Sequence, residues 1–374
     1  MTIVDDIAEP LPRAVIDLDA LRHNVSHLAR LIAPSQVMLA VKADAYGHGL
    51  LPVAEAGIAA GATSLAVLEI PAGLVLRRAG IAVPLLAWLH GARTDWRAGI
   101  EADIELGVSA RWQLDAIAAA GADRPALLHL KVDTGLSRNG ATREEWPGLV
   151  DEALRLQDAG IVRLRAAWSH LADASIADDE AALAEFHEAV RIAESRGARF
   201  ELLHLAASSA GIRMPEARFD LVRFGIAAYG VSPFDDSTGA DLGLVPVMRL
   251  EAPVTELHVG GTTQVRLGIG YGDGVPTLGI AKAHVLLAGL LRPVIDVGPD
   301  DMLVDAGADR VRIGDTAVIF GSGADGEPIA ETYADWADTI ADEMVTGVSP
   351  RVPRVYTGVT GPSQDERPPI LRAP

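Results

Sequence analysis

The stretch LAVKADAYGHGL, residues 39–50, ends an apolar run on a lysine and follows it with two glycines, a tyrosine and a histidine. An amine at the end of an apolar strand is partly desolvated, which lowers its pKa and makes it nucleophilic. A lysine that forms a Schiff base needs that environment, so Lys42 is the first candidate catalytic residue. Gly47 and Gly49 let the backbone turn tightly, and Tyr46 is placed to reach an anion. Other apolar runs also end in polar groups: Lys131 and Asp133, with Gly135 and Arg138 just beyond; His170; Ser208 and Ser209; then Arg223, Gly225 and Ile226. Each alone reads as a solvated strand end; five polar ends at one mouth point to a site.

The elements that would gather them are short runs rich in Val, Ile and Leu. They lie at 37–42, 64–69, 83–88, 103–108, 126–133, 162–170, 200–208 and 221–230. Segments with helical spacing separate them, notably 144–160 and 178–197; the second is amphipathic, with Leu183, Phe186, Val190 and Ile192 near one face. Near-continuous apolar strands are buried on both faces, the mark of a parallel sheet. Eight of them alternating with helices predict an N-terminal (β/α)8 barrel of the TIM type over 12–232, ahead of a doubly wound open sheet. In such a barrel the carboxyl ends of the strands share one mouth. Ser208 and the Gly225–Ile226 backbone follow the seventh and eighth strands, the usual phosphate position of this fold. A lysine beside a phosphate pocket points to pyridoxal phosphate.

After residue 232 the texture changes to short β-rich runs broken by Gly, Pro and Asp, with one helical segment at 333–342. This predicts a smaller, mostly β C-terminal domain over 240–362, with residues 1–11 a candidate addition and a loosely ordered Pro-rich tail. The formal net charge of −19 argues against nucleic-acid and anionic-membrane partners. With no cysteine in the chain, thiolate catalysis, disulfides and Cys-ligated metals are excluded, and no metal site is expected. The N-terminus has neither a basic n-region nor an apolar h-region, so a cytoplasmic location is expected.

The motifs AVKADAYGHG (40–49), HLKVDTGLSRNG (129–140), WSHLADAS (168–175), HLAASSAGIRMP (204–215) and VRFGIAAYG (222–230) resemble, in order and spacing, those of the alanine racemase family. The resemblance covers nearly the whole chain and implies a pyridoxal-phosphate enzyme that converts L-alanine to D-alanine for cell-wall peptidoglycan, working as a homodimer. It implies that Lys42 holds the cofactor and acts as a proton-transfer base. Tyr46, Ser208, Gly225 and Ile226 would hold the phosphate, His170 would pack on the pyridine ring, and Arg223 would face the ring nitrogen. A cation there keeps that nitrogen unprotonated. Arg138 would approach the substrate carboxylate, beside Lys131, which matches a lysine that can be carbamylated.

The family's second base, a partner-subunit tyrosine, has no counterpart in LHVGGTTQVRLGIG at 257–270, where the connection is shortened. The resemblance is therefore to a divergent member. Tyr271 in GYGDG is the candidate replacement; its plainer reading is a packed interface tyrosine. Pro350 stands where a phosphate-contacting tyrosine is expected, Ala207 where an asparagine is common, and Ile295 where a methionine contacts substrate through its backbone. Three readings follow: an alanine racemase; a one-base pyridoxal-phosphate enzyme such as an aldolase, decarboxylase or transaminase; or a non-catalytic cofactor-binding protein.

Overall fold

Val15 and Ile16 sit in the first strand, β1 (Arg13–Asp17), whose burial alternates as a half-covered strand should. It pairs antiparallel with Met248–Glu251 and parallel with Arg354–Thr357. The expected start of the barrel at residue 12 therefore moves downstream, because β1 belongs to the β unit. The computed structural model describes residues 11–260 and 263–358. Among them, 21–245 with 341–346 make one unit, and 11–20, 246–340 and 347–358 make the other. Of the expected N-terminal addition (1–11), residues 1–10 lie outside the described residues, as does the Pro-rich tail.

The first unit is the (β/α)8 barrel. Its strands are β2 (Gln36–Ala40), β3 (Ser64–Val67), β4 (Leu85–Ala87), β5 (Glu105–Val108), β6 (Ala126–Lys131), β7 (Val162–Trp168), β8 (Leu202–His204) and β9 (Leu221–Phe224). Each falls within one of the eight apolar runs, except that β2 begins one residue earlier, at Gln36. They pair in parallel from β2 through β8, and β9 returns to β2. Asp220 N–H to Leu203 O and Arg223 N–H to Ala206 O link the β8 and β9 segments and close the ring. Strands β3, β5 and β9 are buried at every position, as a sheet covered on both faces requires. The 176–195 helix opens where the Ser175 hydroxyl accepts the Asp178 N–H, and buries Phe186 and Val190.

The second unit is mostly β. Its further strands are β10 (Met248–Val259), β11 (Thr263–Leu267), β12 (His284–Leu287), β13 (Leu290–Val297), β14 (Met302–Gly307), β15 (Thr316–Phe320) and β16 (Arg354–Thr357). They form one sheet in the order β11-β14-β13-β12-β15-β10-β1-β16. The shortened connection seen in the sequence is the β10–β11 hairpin, of which residues 261 and 262 lie outside the described residues. The single helix expected at 333–342 is two helices, Ala330–Ala337 and Ala341–Thr346, parted where Asp338 takes a left-handed conformation (φ 55°). No helix among the described residues is long and apolar enough to cross a membrane.

One segment of the barrel runs against ordinary backbone preference. After Lys42, residues Ala43, Asp44, Ala45 and Tyr46 all have φ between 51° and 55°, a turn of left-handed helix closed by Gly47 at φ 78°. Left-handed helical geometry costs L-residues roughly 1–2 kcal/mol each, so four of them store several kcal/mol. Burial offsets this: Ala45 and Tyr46 are buried, the Tyr46 ring packs 4.8 Å from that of Tyr229, and the Asp44 carboxylate accepts the Leu50 N–H at 2.7 Å. The Ala341–Thr346 helix lies against the turn; a Cβ at position 47 would sit 2.6 Å from Val345 O. Gly47→Ala is therefore expected to lose about 2–3 kcal/mol, from left-handed strain and a displaced carbonyl, read as a lower urea midpoint with an unchanged m-value.

Candidate active site

A cavity of about 640 Å³ opens in the barrel unit, and every residue lining it comes from that unit. The structure gathers there the nine barrel residues to which the resemblance gives a role: Lys42, Tyr46, Lys131, Arg138, His170, Ser208, Arg223, Gly225 and Ile226. Four of these are cationic, against Asp173 and Asp342, so an acidic protein concentrates positive charge at one cavity. That donor set suits a phosphorylated, carboxylate-bearing ligand. Asp133 is not among them: its carboxylate accepts the N–H groups of Gly135 and Ser137, bracing the loop that carries Arg138.

The left-handed turn puts Lys42 and Tyr46 on one side, with Lys42 Nζ 5.2 Å from the Tyr46 ring centre. Lys42 is exposed and lines the cavity. Tyr46 is buried, and both its burial and the charge of Asp342 push its phenol pKa up, keeping it a neutral donor. Its hydroxyl lies where a Cβ on residue 225 would fall, so Gly225 is required by close approach. The Gly225 N–H donates to Ser208 Oγ at 3.1 Å. Tyr46, Ser208 and the Gly225–Ile226 backbone thus form one polar cradle. Ser208 is the first residue of a short helix rather than the end of a strand.

Arg223 is held from several sides. Its guanidinium donates to Ser169 O and Leu205 O at 2.8 Å, to His204 Nδ1 at 2.9 Å and to His170 Nδ1 at 3.1 Å. Burial brings its pKa down to about 9, leaving it a cation at neutral pH. His170 is pressed down to about 2, first by burial and then by Arg223, Arg138, Lys131 and Lys42, so it is a neutral ring accepting from Arg223. Lys131 is lowered to about 8 by burial and by Arg223 and Arg138, with Asp133 opposing. Its Nζ sits 4.6 Å from the Trp168 ring centre, and the Arg223 guanidinium carbon 5.1 Å.

Residues 16–233 match the family model for the alanine racemase N-terminal domain, and 260–356 that for the C-terminal domain. The chain belongs to the alanine racemase family. It is 42% identical to alanine racemase of Beutenbergia cavernae over 92% of this chain and 98% of that one. The Thermobifida fusca alanine racemase is 41% identical at the same coverage. The crystal structure of alanine racemase from D-cycloserine-producing Streptomyces lavendulae superposes with a TM-score of 0.92 at 39% identity, over 94% of this chain and 98% of that one. The Streptomyces coelicolor A3(2) alanine racemase gives 0.91 at 40% identity, over 93% and 98%. The expectation of a divergent member is not borne out: the identity of about 40% covers more than nine-tenths of the chain.

Tyr271 and Ile295 lie in the β unit, 52% and 41% exposed, and the cavity is built without them. Several residues that shape the site were missed in the sequence. Asp342 lines the cavity from the Ala341–Thr346 helix; burial pushes its carboxyl up against the pull of Lys42. No local motif marks it, since it lies 300 residues from Lys42 and only packing brings it back. Trp168, His204, His129 and Glu105 sat inside strands read as apolar filler. The polar letters in DIELGV, ALLHLK and LLH were the available signal.

Proposed function

We propose that the chain is a pyridoxal-5′-phosphate-dependent racemase that interconverts L- and D-alanine, with the barrel cavity as its chemical site. One observation carries the reading: a strand-end lysine, a Tyr46–Ser208–Gly225 cradle and a clamped arginine converge in one cavity. The cofactor fits these residues, since the cradle that a Cβ at 225 would fill offers hydroxyl and amide donors beside cations. Bound pyridoxal phosphate supplies the electron sink that makes the Cα proton of an amino acid removable. Lys42 would hold it covalently, the cradle its phosphate, His170 its ring face and Arg223 its ring nitrogen. Arg138 would orient the substrate carboxylate, with the Ile295 backbone of a second copy of the chain.

Lys42 Nζ takes the Cα proton on one face and returns it there. Inversion needs a proton from the opposite face, and Tyr271 of a second copy of the chain is the proposed donor. The one-base and carrier readings are set aside in favour of the racemase, on full-length kinship with alanine racemases. In deuterium oxide, L-alanine is expected to gain Cα deuterium with inversion. Exchange with retention, or no exchange, would overturn the assignment. Tyr271→Phe is expected to slow inversion by about 10²–10³-fold, as for loss of a positioned acid–base group; an unchanged rate would leave Tyr271 a surface residue.

Lys131, with a pKa of about 8, presents a neutral amine at mildly alkaline pH. We propose that it adds to carbon dioxide, forming an N–C bond and releasing a proton, to leave a carbamate that faces Arg138. Protein equilibrated with ¹³C-bicarbonate is expected to show a carbamate carbon signal that rises with pH through 8 and is missing in Lys131→Arg.

We also propose a cytoplasmic homodimer supplying D-alanine for peptidoglycan, a reading supported by exposed Tyr271 and Ile295 on the β unit. Sedimentation is expected to give a dimer, and loss of the gene a D-alanine requirement; an active monomer would count against the first part.

A further inference from the structure

A chain of buried polar side chains starts at Arg223 and leads away from the cavity. Arg223 NH1 meets His204 Nδ1 at 2.9 Å, His204 Nε2 meets His129 Nδ1 at 2.9 Å, and His129 Nε2 meets Glu105 Oε2 at 2.7 Å. The other Glu105 oxygen lies 3.4 Å from Nε of Arg165, which also pairs with Glu201. Both histidines are fully buried, and Glu105 nearly so.

The hydrogen atoms in this chain can be counted. A guanidinium only donates, so His204 Nδ1 must be bare. The His204 proton then sits on Nε2 and points at His129. Two protons cannot share that 2.9 Å contact, so His129 Nδ1 is also bare and its proton is on Nε2. That proton goes to the Glu105 carboxylate, in a contact short enough to be charge-assisted. Every bond therefore runs one way, and no rotamer or tautomer can change alone without leaving a buried group unsatisfied.

Stability does not explain such an arrangement. A buried polar network is at best neutral against an apolar core of equal volume. The strands around it show that alternative: Met38, Ala66, Leu86 and Leu221 fill the adjoining core with apolar groups. Trp168 supports the relay as well, stacking on His204 with ring centres 5.4 Å apart and donating its indole N–H to His129 O at 3.1 Å.

We propose that Glu105, His129 and His204 are positioning residues for Arg223, holding its guanidinium at one angle in the cavity as a cation through a one-way hydrogen-bond relay anchored on a carboxylate. The proposal rests on the cofactor reading for what Arg223 faces, but the relay itself does not. Glu105 can anchor it because it stays ionised: burial pushes its carboxyl up, and the hydrogen bond it accepts from His129 together with the charge of Arg165 more than reverses this. His204 stays neutral because burial, then the charge of Arg223, holds its pKa well below the usual imidazole range.

The deciding experiment is ¹⁵N NMR of histidine-labelled holoenzyme at neutral pH. Expected are two buried imidazoles, His204 and His129, each with a bare Nδ1 and a protonated Nε2. A proton on either Nδ1 would overturn the relay, whatever amino acid the enzyme turns over. In Glu105→Gln the anchor charge is gone: the His129 Nε2–H signal is expected to shift, and kcat for alanine to fall at least about tenfold at constant KM, with Glu105→Asp restoring most of it. A folded Glu105→Gln with unchanged histidine signals and unchanged kcat would also overturn the proposal. Should Glu105→Gln fail to fold, the wild-type tautomers alone decide.

Discussion

Everything in the site hangs on five residues that wind the wrong way. Ala43 to Tyr46 form a left-handed turn, and Gly47 ends it. The conformation places Lys42 and Tyr46, four apart, on the same side of the backbone, so one turn carries both the candidate covalent lysine and the candidate phosphate donor. Strain of this kind persists only where the surroundings over-determine it. Here they do: Tyr229 packs on Tyr46, His48 packs on Tyr229, and Gly225 leaves room for the Tyr46 hydroxyl. The Ala341–Thr346 helix closes over Gly47. A relaxed right-handed turn would give back several kcal/mol and lose the pairing of lysine with tyrosine.

The second organising force is electrostatic. Arg223, Lys131, Arg138 and Lys42 share a cavity in a chain whose net charge is strongly negative. Their mutual repulsion and burial depress Lys131 and keep His170 neutral. Trp168 lies under two of the cations, a soft counterweight that adds no charge. Glu105 adds a formal counter-charge, but at the far end of two imidazoles, so Arg223 is held without a carboxylate in direct contact among the described residues. A cation kept there, unpaired by any direct carboxylate, suits a ring nitrogen that must not gain a proton.

Much of this was legible early because the strand-end pattern is local. A parallel barrel needs continuous apolar strands, and a polar residue closing such a strand stands out; Lys42, Lys131, His170 and Arg223 were found in that way. Arg13–Asp17 was misassigned for the complementary reason: a short strand carries no mark of which sheet will pair with it. The same holds for 333–342, where one apolar periodicity covered two helices that the αL conformation of Asp338 separates. The departures from the family pattern were legible too, but their weight was not. The expectation of a shortened connection and of a missing tyrosine segment suggested divergence, whereas identity of about 40% extends along almost the full chain.

What the amino-acid order settled unaided was the kind of fold, the cofactor chemistry and the nine cavity residues of the barrel, because period, strand ends and motif spacing are written within a few residues of one another. Folding in three dimensions settled the rest. Ala-Asp-Ala-Tyr has no intrinsic preference for a left-handed turn; packing imposes it. Glu105, His129 and His204 lie on three different strands, and barrel register alone puts their nitrogens and oxygens within hydrogen-bonding distance. Asp342 enters the cavity from the far end of the chain. Contacts of that range depend on closure of the ring, and no local pattern in the sequence encodes them.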